Sequence, residues 1–358
     1  MSTTTDTLQS NDKIRNGGTA SARWPLWATP AIALALAYGL VPLVATDYVF
    51  DALLLPFLAL SLAAVGLNLL TGYAGQLSLG SAAFMAVGVY AAYNVQLRIE
   101  GLPLLAAVAL GGVAATLVGV VFGLPSLRLR GFYLAVSTLA AQFFVQWALT
   151  KFGWFSNDNP SGVIDAPPLA VAGVAFDTPV GRYLFALTVV AVLTALVWRV
   201  TRTPTGHHFI AVRDNELAAR VIGVPVLRAK LLAFALSSFV IGVAGVLWGF
   251  VYLRTVEPAG FNLDRSFQIL FIIIIGGLAT LRGAFLGAAL IVLFPLLLSR
   301  LGSLLLGQWF DSGVLELCQR IALGALIVGF LIAEPRGLAA LWERLVARCR
   351  RRPAAHGA

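Results

Sequence analysis

The residues best suited to polar chemistry lie at positions 66–80, where Gly72, Gly75, Gly80 and several hydrogen-bonding side chains interrupt a hydrophobic stretch. Glycines at this density favour a broken helix, and backbone groups freed in this way are tolerated within a membrane only inside protein or beside a wet cavity. We therefore expect polar side chains here to line a path for a small solute. The candidates are Asn68, Thr71, Tyr73, Gln76 and Ser78. The alternative is that the glycines only let helices pack closely while the polar groups bond across them.

A second polar segment, residues 209–222, alternates charged and apolar residues at the spacing of an amphipathic helix. Gly223 and Pro225 end the run. Its small residues Ala218 and Ala219 suit a helix that seats deeply in a groove of another protein. The charged residues that can pair at the rim of such a groove are Arg213, Asp214, Glu216 and Arg220. The alternative is a surface helix lying on lipid headgroups.

Three kinds of chemistry find no support in the residues present. Nucleotide hydrolysis needs a Gly-Lys-Ser/Thr phosphate loop, and no lysine of this chain follows a glycine. Beside the adjacent His207 and His208, no Cys, Asp or Glu stands at a ligand-like spacing on the same face, which argues against a metal site. Ion-coupled carriers bury charge near the middle of a membrane span, and the apolar runs carry none there. The chain is therefore expected to hold no cofactor and no metal, so that any ATP and Mg²⁺ would bind to separate ATPase subunits.

Composition indicates which elements hold these residues. The chain has 358 residues, of which 59% are hydrophobic and 11% charged, far from the balance of soluble domains. Long apolar runs without strand-like alternation predict an all-α, polytopic transmembrane bundle. The formal net charge of +9 is placed between apolar runs and at the two ends, which indicates membrane topology and not nucleic-acid binding. Two cysteines make a disulfide framework unexpected.

The apolar runs predict about ten spans, within a range of roughly eight to ten. They are residues 26–46, 52–70, 80–96, 102–123, 132–150, 183–199, 230–251, 266–280, 284–301 and 316–333. Within 266–301, Gly276, Gly277 and Gly283 predict short pieces that are re-entrant or half-helices. A long loop from Lys151 to Arg182 is rich in turn residues.

The basic residues predict the orientation of these spans. Most of the 25 lysines and arginines fall on one side, together with both termini and the loop 200–230, and this side is expected to be cytoplasmic. The predicted organisation is a disordered cytoplasmic tail over 1–23, a membrane domain over 24–340 that contains the loop 200–230, and a basic cytoplasmic tail over 341–358.

Three stretches resemble the membrane subunits of branched-chain amino acid ABC importers, specifically the longer of the two permease types. The first is Gly66 to Tyr90, with Thr-Gly-Tyr-Ala-Gly-Gln-Leu-Ser-Leu-Gly from Thr71. The second is Pro125 to Leu139, with Ser-Leu-Arg-Leu-Arg-Gly-Phe-Tyr-Leu-Ala from Ser126, and the third is Thr203 to Phe234, with Ala-Val-Arg-Asp-Asn-Glu-Leu-Ala-Ala from Ala211. The likeness covers about residues 50–340, and the motifs occur in matching order.

The resemblance implies a multi-pass protein of the bacterial inner membrane that works with several partners. These are a second permease subunit, two cytoplasmic ATPase subunits and a periplasmic binding protein that delivers a small-molecule substrate. It also implies that residues 216–223 form the loop that docks into the ATPase, with Glu216, Ala218, Ala219 and Gly223 matching a degenerate form of the motif. Ser81 stands where relatives often carry His or Gln, so it joins the pathway candidates and leaves the substrate open.

The expected function is translocation of branched-chain or related hydrophobic amino acids, with no catalysis on this chain. One alternative is a permease of the same family for urea or short amides. Another is an ATP-independent channel or facilitator for small polar solutes, with residues 209–222 serving as an anchor.

Overall fold

The structure is a computed structural model in which residues 28–99, 101–126, 131–159, 161–167, 170–171, 174–175, 178–306, 312–334 and 337–350 are described. The predicted tail over 1–23 lies outside the described residues, as does the end of the chain after Arg350. The chain divides into two compact units, residues 1–45 and 46–358.

In the first unit, the predicted span over 26–46 is two helices. Helix α1 covers Ala28–Gly39, and α2 covers Val41–Val44 with Pro42 in its first turn. Glycine has a low helix propensity and proline lacks the N–H that a helix interior needs, so the run divides between these two residues.

The second unit is built from successive helices. They are α3 (Asp47–Tyr73), α4 (Ser81–Arg98), α5 (Leu104–Ser126), α6 (Phe132–Lys151), α7 (Pro179–Thr201), α8 (Pro204–Asp214), α9 (Glu216–Val221), α10 (Val226–Leu253), α11 (Leu263–Gly276), α12 (Leu281–Leu306), α13 (Ser312–Ala333) and α14 (Gly337–Arg350). Each predicted apolar run overlaps one of these helices or the pair in the first unit. Helix α14 occupies part of the predicted tail over 341–358.

Five of the described helices are long and apolar enough to cross a membrane. They are Asp47–Tyr73, Leu104–Leu124, Pro179–Thr201, Val226–Leu253 and Leu281–Arg300. Helices of this length satisfy their own backbone hydrogen bonds, which is what the dry interior of a bilayer requires. The all-α, polytopic bundle is therefore confirmed.

The centre of the second unit is made by α3, α4, α5 and α10, which pack on one another. Glycines let these helices approach closely: a Cβ added at Gly88 would lie 2.2 Å from the carbonyl oxygen of Gly242, and one at Gly245 would lie 2.1 Å from that of Met85. Within a bilayer the hydrophobic effect does not drive helices together. Close approach at glycines stabilises their association through van der Waals contact instead.

The long loop before α7 contains a short helical turn and short strands, and one of these strands pairs with the segment that follows α10. It contains a 3₁₀ turn (Gly153–Ser156), β1 (Ile164–Asp165), and the hairpin of β2 (Ala170–Val171) with β3 (Val174–Ala175). Strand β1 pairs antiparallel with β4 (Thr255–Val256), which follows α10. The loop ends earlier than predicted, because Thr178 caps α7 through the N–H of Gly181. Arg182 thus lies inside α7, where it forms an ion pair of 3.0 Å with Asp51.

The region 266–301 is one short helix and one long helix. Helix α11 has 14 residues and ends at Gly276, and Gly277 has a positive φ of 115°. Its length, about 21 Å at 1.5 Å per residue, is too short for a full span, as predicted for a half-helix. The prediction of short pieces was wrong for the second part, because α12 runs for 26 residues and accommodates Pro295 within it.

Candidate functional site

The break predicted within residues 66–80 comes after Tyr73. Helix α3 continues past Gly66 and Gly72 to Tyr73, and residues 74–80 then form a non-helical connection, here named the polar turn, before α4 begins at Ser81. The helix widens into a π-turn over its last residues. Gly75 has a φ of 68°, a conformation that favours glycine, so the chain leaves the helix at this point.

Asn68, the first pathway candidate, joins α3 to the break between α11 and α12. Its Oδ1 accepts the N–H of Ala279 at 2.9 Å, and its Nδ2 donates to the carbonyl oxygen of Thr280 at 2.9 Å. The residue is fully buried. Asn68 thereby satisfies two backbone groups that the non-helical residues 277–280 free, and this geometry gives it a bridging position between helices.

The remaining pathway candidates surround or lie in the polar turn. Thr71 donates its hydroxyl to the carbonyl oxygen of Gln76 at 3.0 Å, and Tyr73 is half-buried at the end of α3. Gln76 is buried and donates Nε2 to the carbonyl oxygen of Lys230 at 3.4 Å. Ser78 is buried and accepts the N–H of Gly80 at 3.3 Å. Thr71 and Tyr73 thus lie in the last turn of α3, and Gln76 and Ser78 lie in the polar turn that follows it.

Two buried oxygens near the polar turn have no hydrogen-bond partner among the described residues. They are Oε1 of Gln76 and Oγ of Ser81. A buried acceptor or hydroxyl without a partner costs about 1–3 kcal/mol, so such atoms mark places where a further polar group or water is favoured. Gln76 and Ser81 therefore each keep a buried oxygen that makes no hydrogen bond within the described residues.

The start of α4 is held by side chains that were not among the residues predicted from the sequence. The N–H of Ala82 donates to Oγ of Ser266, and the N–H of Ala83 donates to Oε1 of Gln142 at 2.6 Å. Thr138 accepts the N–H of Leu79 at 2.9 Å. Since Thr138 and Gln142 lie inside the apolar run of α6, their polarity in such a run was the available signal. The three side chains fix the end of the polar turn against α6 and α11.

The segment 209–222 is two helices and not the single amphipathic helix predicted. Helix α8 ends at Asp214, and Asn215 (φ −158°) caps α9 by accepting the N–H groups of Leu217 and Ala218 at 3.0 Å each. Asparagine is a favoured N-cap residue, because its side chain accepts backbone N–H groups that have no partner in the first turn of a helix. A new helix therefore begins after Asn215. Gly223 ends α9 as predicted, with a φ of 86°.

The charged residues of this segment mostly bind within the chain. Arg213 donates Nη1 to the carbonyl oxygen of Gly72 at 3.0 Å and pairs with Asp214 at 2.8 Å. Glu216 pairs with Arg220 at 2.8 Å and with the buried Lys230 at 2.9 Å. Arg213 and Glu216, which were expected at the rim of a partner's groove, therefore also bind α3 and α10 of this chain.

Apart from Arg220, the exposed residues of α9 and Ile222 just after it are apolar. Leu217, Val221 and Ile222 are 65%, 87% and 73% exposed, and this set is here named the apolar face of α9. Ala218 is also exposed, whereas Ala219 is buried. Apolar side chains at this exposure, next to charges on a short helix, are typical of a surface that binds another protein. The i, i+4 spacing of Leu217 and Val221 was the signal in the sequence.

Most of the second unit is similar to one protein family. A family model for the permease component of branched-chain amino acid transport systems matches residues 49–339. No solved structure matches the chain significantly.

The chain is also similar in sequence to individual named permease proteins. The chain is 28% identical over 301 residues to the high-affinity branched-chain amino acid transport system permease protein LivM of Salmonella typhimurium and to that of Escherichia coli. Each match covers 76% of this chain and 66% of the relative, so the chain spans slightly less than two thirds of their length. It is also 39% identical over 104 residues to an autoinducer 2 import system permease protein, LsrC, of Klebsiella pneumoniae, covering 28% of this chain and 30% of that one.

Proposed function

We propose, since the chain belongs to the family of permease components of branched-chain amino acid transport systems, that it is a membrane-spanning subunit of an ATP-driven importer. In this role it carries no catalytic site. A separate pair of cytoplasmic ATPase subunits binds ATP and Mg²⁺, a second permease subunit completes the path, and a periplasmic protein delivers the substrate. The protein is a multi-pass membrane protein, and the distribution of its basic residues along the sequence favours a cytoplasmic location for the loop 200–230 and for both termini.

The observation that carries this proposal is the apolar face of α9 beside the charged ends of α8 and α9. An element that exposes Leu217, Val221 and Ile222 while its charges are bound within the chain is suited to dock into a groove of a soluble subunit. A helix lying on lipid would bury these residues among acyl chains and extend cations to the headgroups. Here α9 has a single cation, Arg220, and an acidic residue beside it, Glu216, which favours the docking of a protein over binding to anionic lipid.

The substrate class is a branched-chain or related hydrophobic amino acid, as the names of the two LivM relatives suggest. The unpartnered oxygens of Gln76 and Ser81 are suited to the polar end of such a molecule. Urea and short amides are also polar enough to use these atoms, and LsrC shows that the likeness extends to permeases with a different named substrate. Comparing these substrates in one assay decides between them.

Uptake into proteoliposomes tests the proposal. The chain is reconstituted with its partner permease and ATPase subunits, and labelled leucine, urea and acetamide are presented with the binding protein. We expect leucine uptake that requires both ATP inside and the binding protein outside. Uptake that is equal with and without ATP would overturn the proposal and favour a facilitator.

A further inference from the structure

The two short helices α8 and α9 hold the polar turn through two separate connections. One runs from Arg213 to the end of α3, and the other runs from Glu216 through Lys230 to Gln76. Both connections join the element proposed to meet the ATPase with the turn proposed to meet the substrate. Their positions therefore bear on how movement passes between the two sites.

The first connection uses the whole side chain of Arg213. Its guanidinium donates to the carbonyl oxygen of Gly72 at 3.0 Å, while Asp214 holds the other edge at 2.8 Å. Its aliphatic stem lies against Gly75, where an added Cβ would stand 2.6 Å from Cγ of Arg213. Only glycine leaves room for this stem, so Arg213 contacts the backbone on both sides of Tyr73. A shift of α8 must move these two glycines or break the bond to Gly72.

The second connection passes through Lys230, the fifth residue of α10. Nζ of Lys230 binds Oε2 of Glu216 at 2.9 Å, and the side chains of both residues are mostly buried. The carbonyl oxygen of Lys230 accepts Nε2 of Gln76 at 3.4 Å, and Gln76 is held in turn by Thr71. Charges attract more strongly where they are shielded from water than on the surface, so this ion pair ties α9 to α10.

We propose that Arg213 and the Glu216–Lys230 pair are positioning residues that transmit displacement of α8 and α9 to the polar turn. This inference rests on the proposed function. The far end of the turn is fixed by Thr138, and α4 by Gln142. A pull at Gly72 and Gly75 against that fixed end changes the conformation of residues 74–80, which carry Gln76 and Ser78. ATP-driven movement of the partner thus biases the buried polar site through contacts that differ between two conformations.

Arg213→Gln tests the first connection, and Arg228→Gln is the matched control. Both variants remove one positive charge from the same side of the molecule, but Arg228 is exposed at the start of α10. Each complex is reconstituted, and leucine uptake and ATP hydrolysis are measured in the same vesicles. We expect Arg213→Gln to lower leucine uptake per ATP hydrolysed about 10-fold, the order of effect for losing a hydrogen bond to a charged group. Arg213→Lys, which keeps the charge and one donor, should lie between.

The results that overturn the inference are distinct from those that overturn the proposed function. Unchanged uptake per ATP in Arg213→Gln, or an equal fall in Arg228→Gln, removes this role from Arg213. Absence of ATP-dependent uptake in the wild-type complex removes the proposed function instead.

A second measurement uses the unmodified complex, so it does not depend on whether the variant folds. Hydrogen exchange is compared with and without a non-hydrolysable ATP analogue. We expect residues 72–80 to change exchange together with residues 204–221. A change confined to 204–221 overturns the transmission.

Discussion

Replacing Leu217 and Val221 together by alanine tests the apolar face of α9 quantitatively. The two residues are 65% and 87% exposed, so docking into a groove would cover most of each side chain. Leucine to alanine removes about three carbons and valine to alanine about two, at about 0.8 kcal/mol for each buried CH₂. Scaled by the exposed fractions, the lost burial is roughly 3 kcal/mol. Since 1.4 kcal/mol corresponds to a tenfold change in affinity, we expect the ATPase to bind about 100-fold more weakly.

The assay titrates the ATPase subunit onto the permease pair in nanodiscs and measures the dissociation constant by biolayer interferometry. The matched control is Val192→Ala with Leu196→Ala, the same residue types at the same spacing on an exposed face of α7. Because α7 is a candidate membrane span, the control should leave the dissociation constant unchanged. Equal affinity for the wild type and the Leu217/Val221 variant would refute the reasoning, as would an equal loss in the control.

Three further variants test other parts of the structure. Asn68→Leu leaves two backbone groups without their partner, and we expect a loss of about 2–4 kcal/mol of stability, measured as a lower unfolding temperature in detergent; an unchanged temperature would contradict the bridging position. The double variant Glu216→Ala with Gly223→Leu removes the partner of buried Lys230 and forces a leucine into a left-handed backbone conformation. We expect uptake to fall while membrane insertion persists, and unaltered uptake would count against the coupling role of α9. Gln76→Leu with Ser78→Leu should abolish uptake but leave ATP hydrolysis, and transport at the wild-type rate would exclude the polar turn from the path.

The helices were predictable because the membrane imposes a length and a composition on each span. The apolar runs of α5, α7 and α10 stand out in the sequence, since about 20 apolar residues are needed to cross the bilayer. The division of the first run at Gly39 was missed, because glycine and proline are common in membrane helices and do not by themselves end one. The length of α12 was missed for the same reason.

The site was predictable only in part because its contacts are distant in sequence. Residues 66–80 were found from glycine and polar residues within an apolar run. The bridge from Asn68 to Thr280 and the bond from Ala83 to Gln142 join residues far apart along the chain, and one sequence by itself does not show which pairs meet. The helical spacing of residues 209–222 predicted one continuous helix. Asn215 caps a new helix instead, and the sequence pattern did not reveal this.

The side of the membrane that α9 faces is the most direct test of the account. Val221 is changed to cysteine in a chain whose two native cysteines, Cys318 and Cys349, are replaced by serine, and a membrane-impermeant maleimide is applied to oriented vesicles. We expect labelling in inside-out vesicles only, with protection when the ATPase is bound. Labelling in right-side-out vesicles would place α9 in the periplasm, beyond the reach of any cytoplasmic ATPase, and would contradict it.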